Sequence, residues 1–229
     1  MENISPNYQD LLKVKAGENH GRMLVLNNYY PQGIVCAYEQ FDMNPWLGDN
    51  LLVRSGVAQR LKHAAKLLSK IKPGYKFLVV YAYRHPIVQK KYFLRQRKLL
   101  AVKNKLDDFS LDALTHNFVA VPKVAGHTCG AALDLTLIGP KGVMDMGTAI
   151  ADFKQADKIP TYSYLISSAQ KKNRLLLRSV MAESGFAPFD GEWWHFSYGD
   201  REWAYYYKRL RSLYSPIMLT KRKNYSKIT

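Results

Sequence analysis

Residues 131–138 constrain the fold more than any other stretch of this chain. Leu133, Leu135 and Leu137 alternate with Ala132, Asp134 and Thr136, the period of a strand with one face in a core and the other polar. Asp134 therefore stands on the small, polar face, where a carboxylate without a partner is costly to bury. A second, buried strand is expected over 75–83, whose sequence YKFLVVYAY is apolar, aromatic and β-branched. Val57, Leu61, Ala64, Ala65 and Leu68 recur at helical spacing, so 53–71 reads as a helix stopped by Pro73-Gly74. A turn at 27–33, a short strand at 34–38, a basic helix over 89–105 and a helix over 173–184 closed by Gly185 follow from the same rules. Residues 192–198 are aromatic and read as a strand ended by Gly199-Asp200. No repeat or low-complexity linker divides the 229 residues. The pattern implies an α+β chain: a single domain over 1–229, with a central, mainly antiparallel sheet flanked by helices.

Composition excludes several classes. With 47% apolar and 23% charged residues, the chain is neither disordered, collagen-like nor a coiled coil. Cys36 and Cys129 are too few for a disulfide framework and suit a reducing compartment. The charge is the unusual number: 34 Lys and Arg against 18 Asp and Glu give +16. Seven of the cations fall in 89–105, without an acid, and the tail 208–229 is also basic. Such an excess fits nucleic acid, an anionic membrane surface or anionic cell-wall polymers, although a solvated helix face is the plainer reading. No stretch of about 18 apolar residues predicts a spanning helix. The first 30 residues hold no apolar run of the signal-peptide kind. With Met1 at the start, a cytoplasmic location is expected, or a periplasmic one if a leader has been removed.

Two short stretches could carry chemistry: 125–134 (AGHTCGAALD) and Glu192-Trp193-Trp194-His195. A catalytic zinc has three protein ligands and one open position, a count that His127, Asp134 and His195 meet. A metal there would resolve the cost of the Asp134 carboxylate, acidify a water and polarise a carbonyl. Gly126 and Gly130 allow the tight backbone that brings in His127. Glu192 is the candidate general base. Glu192 and His195 are three apart and would face opposite sides of a flat strand, so Glu192 must lie in a loop before the strand or at a bulge. Cys129 reads as a small buried filler. His20, His63, His85 and His116 lack partners at ligand spacing. Trp193 and Trp194 read as core and pocket wall. There is no P-loop and no Gly-x-Ser-x-Gly elbow.

His127-x-x-Gly130-x-Ala132-x-Asp134 followed by Glu192-x-Trp194-His195 resembles the signature of the zinc D-Ala-D-Ala dipeptidases, the family that includes the vancomycin-resistance dipeptidases. The linking stretch of Asp145, Thr148, Asn173, Arg178, Gly185 and Phe186 is similar too, and Ala82-Tyr83-Arg84 resembles the family's Tyr-Arg element. The resemblance runs from about Val124 to Tyr198 and is weak in the first 70 residues and the tail. It implies one zinc per chain on His127, Asp134 and His195, Glu192 as catalytic base, and Arg84 stabilising the anionic intermediate. It implies a substrate site near Tyr83, Ala125, Asp152 and Trp194.

The chain departs from the family around that substrate site. Ala125 replaces a serine, Tyr81 replaces an acid, and His85 separates Arg84 from Pro86. The acid that holds the substrate ammonium aligns at Asp152 only with a one-residue shift from Ala151. These readings imply a zinc dipeptidase cleaving D-Ala-D-Ala. A D,D- or L,D-peptidase of peptidoglycan peptides is the first alternative, and a non-enzymatic polyanion-binding module the second. A small peptide is the expected partner, with nucleic acid the weaker reading.

Overall fold

A computed structural model describes residues 6–38 and 41–220. In chain order the elements are α1 (Tyr8–Lys13), β1 (Met23–Val25), β2 (Ile34–Cys36), α2 (Asn44–Leu47), β3 (Leu52–Arg54), α3 (Ser55–Ile71), β4 (Lys76–Tyr81), α4 (Pro86–Lys103) and α5 (Asp108–His116). There follow a 3-10 turn (Gly126–Cys129), β5 (Ala132–Gly139), β6 (Gly142–Val143), a second 3-10 stretch (Phe153–Lys158), α6 (Ser168–Glu183), β7 (Ala187–Pro188), β8 (His195–Ser197) and α7 (Arg201–Tyr206). The main sheet runs β2-β4-β5-β8-β7, with β6 beside β5. Only β2 and β4 pair in parallel; the other pairs in that sheet are antiparallel. This is the expected α+β arrangement with a mainly antiparallel sheet. β1 and β3 form a separate antiparallel ribbon.

The alternation of β5 does what its sequence demands. Leu133, Leu135 and Leu137 are fully buried, packed with Phe77 and Val79 of β4 beneath α3 and α6. Val57, Leu61, Ala64 and Leu68 of α3 meet Leu177, Val180 and Met181 of α6 in that core. The opposite face of β5 carries Asp134 and Thr136 and is left for the site.

Several boundaries differ from the sequence reading. α4 begins at Pro86 because the His85 ring caps it, with Nδ1 accepting the Ile87 amide. α6 begins five residues before Asn173, at Ser168, where Ser167 and Gln170 form a reciprocal capping box. The strand expected over 75–83 ends at Tyr81, at a register shift. The strand expected over 192–198 starts only at His195, because Glu192 to His195 forms a turn in which the Glu192 carbonyl accepts the His195 amide. The basic tail is described to residue 220, and the remainder lies outside the described residues. Among the described residues no helix is long and apolar enough to cross a membrane.

Candidate active site

Asp134 is the centre of a row across three strands: Tyr81 of β4 pairs with it on one side and His195 of β8 on the other. A bulge between Val79 and Tyr81 makes this row. In unbroken alternation Tyr81 would project with Phe77 and Val79 into the core. The extra residue turns its ring to the opposite face, where it meets the His127 ring edge-on at 5.4 Å.

His127 arrives from the 3-10 turn Gly126–Cys129, which ends in a left-handed Gly130 (φ 66°). Arg54 anchors this loop from behind: its amide donates to the Gly130 carbonyl and its Nε to the Cys129 carbonyl. Gly126 admits no side chain, since a Cβ there would lie 2.0 Å from Oδ2 of Asp200. Cys129 is buried filler, as its sequence setting suggested.

The donor atoms argue for a cation. His127 Nδ1 donates to the Ala82 carbonyl at 2.6 Å, so Nε2 of the neutral ring carries a lone pair. That nitrogen lies 3.3 Å from Asp134 Oδ2, one acceptor facing another. His195 Nδ1 is 3.0 Å from Asp134 Oδ1, and its Nε2 is 3.6 Å from Glu202 Oε2. One ligand atom from each of His127, Asp134 and His195 falls within 4.8 Å of the others. Two imidazoles and a carboxylate suit zinc with an open position, and they would accept other divalent ions. Outside the cluster, the Ala82 carbonyl fixes the tautomer and orientation of the His127 ring, and Glu202 Oε2 stands 3.6 Å from Nε2 of His195.

Burial and charge set the protonation states. Burial opposes ionisation of Asp134, but the His127 and His195 imidazoles outweigh it and hold its carboxyl well below the usual range. Burial drives His127 down, towards the neutral ligand form. Burial also opposes the His195 cation, yet its contacts with Asp134 and Glu202 raise it well above the ordinary value. Glu192 is pushed up to about 7, chiefly by burial. A carboxyl poised there can both take and return a proton at neutral pH.

Arg84 follows the end of β4 and is held at three points. Its amide donates to the His127 carbonyl, Nε donates to the Tyr81 hydroxyl at 3.1 Å, and one terminal nitrogen donates to Gln89 Oε1 at 2.9 Å. Gln89 in turn donates to the Ala120 carbonyl. Tyr81 passes the arrangement on, donating to Asp42 Oδ2 at 2.6 Å. Asp42 also accepts the hydroxyls of Tyr38 and Tyr92.

All of this opens on one cavity of about 220 Å³. Arg84, His127, Asp134, Glu192 and His195 line it together, with Ala125 and Trp194 of the expected substrate site in its wall. The structure does not bring Tyr83 or Asp152 to that wall. Tyr83 is buried elsewhere, donating to the Ile217 carbonyl. Asp152 accepts from Gln155, while its neighbour Ala151, in left-handed backbone (φ 58°), faces the cavity. Sequence reasoning missed Glu202, Gln89, Tyr92 and His116 in the lining. Glu202 follows the α7 cap Asp200, and no motif marks it.

The chain is similar to known proteins. The family model described as D-ala-D-ala dipeptidase matches residues 47–213. A D-alanyl-D-alanine dipeptidase of Synechocystis is 32% identical over 185 residues, covering 69% of this chain and 73% of that protein. The D-alanyl-D-alanine dipeptidase of Escherichia coli is 36% identical over 73 residues, covering 31% of this chain and 37% of that one. A solved vancomycin-resistance D,D-pentapeptidase, VanY, in complex with Zn(II), aligns at 16% identity and a TM-score of 0.41, over 67% of this chain and 76% of that one.

Proposed function

The chain belongs to the D-Ala-D-Ala dipeptidase family of metallopeptidases, and on that premise we propose that it hydrolyses D-Ala-D-Ala to two D-alanines. The observation that carries this reading is the cation-seeking cluster of His127, Asp134 and His195 at the wall of a small cavity, with Glu192 and Arg84 beside it. A single zinc held by those three residues would supply Lewis acidity at the scissile carbonyl and an acidified water. Glu192 takes the proton released as the nucleophile attacks and gives it to the departing amine. Arg84 keeps its charge at any working pH and is placed to stabilise negative charge developing on the carbonyl oxygen. Its bonds to Tyr81 and Gln89 fix the guanidinium before substrate arrives, so little reorganisation is needed in the transition state. Trp194 and Ala125 shape an apolar wall suited to methyl side chains.

A second reading keeps this chemistry and lengthens the substrate to a peptidoglycan peptide cut by a D,D- or L,D-peptidase. It is favoured by Ala151 standing in the wall where an ammonium-holding acid was expected, with Asp152 bonded to Gln155 instead. A substrate without a free amine near that wall would not need the acid. Release of D-alanine from D-Ala-D-Ala, with zinc-loaded and chelated protein side by side, tests the first reading. Metal-dependent release supports it. No release from zinc-loaded protein that cleaves a cell-wall pentapeptide would replace it with the second.

A further inference from the structure

The outer face of α4 serves neither the core nor the site. Ile87, Lys91, Leu94, Lys98 and Val102 follow one another at spacings of four, three, four and four, which aligns them in one stripe along the helix. Ile87, Leu94 and Val102 are 58%, 52% and 84% exposed. The intervening lysines are exposed as well, flanked by exposed Lys90 and Arg95. No acid occurs between Pro86 and Lys105. Of the acids beside the helix, Asp42 accepts the Tyr92 hydroxyl on the inner side, and Arg97, on the side towards α5, takes up Asp108 and Asp112. The outward cations of the stripe form no ion pair among the described residues.

The interleaving of the two residue classes selects the partner. A face that served only solubility would not place Ile, Leu and Val at exposed positions along its length. Nucleic acid would use the cations, but aliphatic side chains offer no stacking surface to bases. A second copy would bring together two faces of the same sign in a chain of net charge +16. An anionic bilayer satisfies both classes at once: aliphatic groups enter the boundary between headgroups and acyl chains while lysines meet lipid phosphates. We propose that the outer face of α4 docks this protein on anionic lipid surfaces, with the helix lying in the plane of the interface. Gln89 and Tyr92, on the inner side of the same helix, line the catalytic cavity. Docking therefore holds that cavity roughly one helix diameter, about 10 Å, from the lipid.

The test is co-sedimentation of the full chain with vesicles of phosphatidylglycerol and phosphatidylcholine in equal parts, against phosphatidylcholine alone. The anionic vesicles should bind and the zwitterionic ones should not. The double variant Lys91→Gln/Lys98→Gln should weaken binding about thirty-fold. The charge-neutral double variant Leu94→Ser/Val102→Ser should weaken it about ten-fold or more. All four positions are exposed, so melting temperatures should stay unchanged. Absence of binding to anionic vesicles overturns the proposal, as does equal binding to both kinds. Binding that the Leu94→Ser/Val102→Ser variant leaves within about two-fold also overturns it, because that behaviour belongs to a generic polyanion site or to the basic tail. None of these outcomes depends on the peptidase reading.

Discussion

Replacing Tyr81 by phenylalanine removes one oxygen and should slow catalysis without disturbing the metal ligands. The hydroxyl has two partners: it accepts from Arg84 Nε at 3.1 Å and donates to Asp42 Oδ2 at 2.6 Å. The ring would remain, and with it the edge-on contact to His127 and the guanidinium 4.6 Å from the ring centroid. Asp42 would keep Tyr38 and Tyr92, and Arg84 would keep Gln89. Arg84 thus loses one hydrogen bond, a charged one worth about 1.5–3 kcal/mol. If Arg84 acts on charge that develops only in the transition state, that loss appears in kcat. At about 1.4 kcal/mol per decade it amounts to roughly ten- to hundred-fold. The ceiling is the effect of Arg84→Ala, expected at about 10²–10³ for a lost oxyanion stabiliser. Steady-state D-alanine release by zinc-loaded protein gives kcat and KM, and metal content and melting temperature provide the controls. Unchanged kcat with a raised KM would refute the reasoning, because Tyr81 would then serve ground-state binding. A fall in bound zinc would place its role at His127. If Arg84→Ala itself retained full kcat, the role of Arg84 would be wrong rather than the contribution of Tyr81.

Four further outcomes rest on the same geometry. Glu192→Gln should abolish turnover without lowering zinc content; normal hydrolysis would remove Glu192 from the proton-transfer role. In metal-free protein the same change should raise the melting temperature at pH 8 but not at pH 4. A carboxyl pushed up to about 7 from 4.5 by burial contributes stability below the lower value and loses it as pH rises through the higher; a pH-independent effect would contradict the shift. Gly126→Ala would force a Cβ to 2.0 Å from Asp200 Oδ2, an overpacking cost of about 2–3 kcal/mol, or roughly 5–10 °C in melting temperature; an unaltered melting curve would show that the loop has slack. Burial lifts the Cys36 thiol to about 11 and the Cys129 thiol to about 12, so neither should react with a disulfide reagent at pH 8 in the native protein; rapid labelling of Cys129 would mean that the His127 loop opens.

What the sequence made legible was whatever depends on periodicity and on close spacing. The leucines of β5 face the core and Asp134 faces away because a strand has a period of two. The Glu192 to His195 problem was also visible in advance, since a spacing of three fits a turn and not a flat strand. The bulge before Tyr81 was not visible. YKFLVVYAY looks uniformly buried, and nothing local says that one residue slips and turns Tyr81 towards Asp134. Asp42 is equally hidden, because its carboxylate reaches the site only through hydroxyls from β4 and α4. The same limit applies to Tyr83 and Asp152. A motif fixes their place in the chain, but their direction is decided by Ile217 and Gln155.

Charge explains why so many long-range contacts converge on this face of the sheet. Asp134, Glu192 and Glu202 bring three carboxyl groups around two imidazoles, and Arg84 is the permanent cation in the cavity wall. Tyr81 and Gln89 present oxygen acceptors to Arg84, so the guanidinium is held without being neutralised by a direct carboxylate contact. Asp42 steadies it from one residue further away. A direct Arg84–carboxylate pair would offset part of the charge facing the cavity, whereas a hydroxyl between them keeps the geometry and leaves that charge in place. The excess negative charge around the imidazoles is then left for a dication to balance. On this argument Tyr81→Asp should be worse for catalysis than Tyr81→Phe, despite restoring a partner to Arg84. Faster turnover by Tyr81→Asp than by Tyr81→Phe, at equal zinc content, would show that Arg84 needs a fixed position more than an unpaired charge.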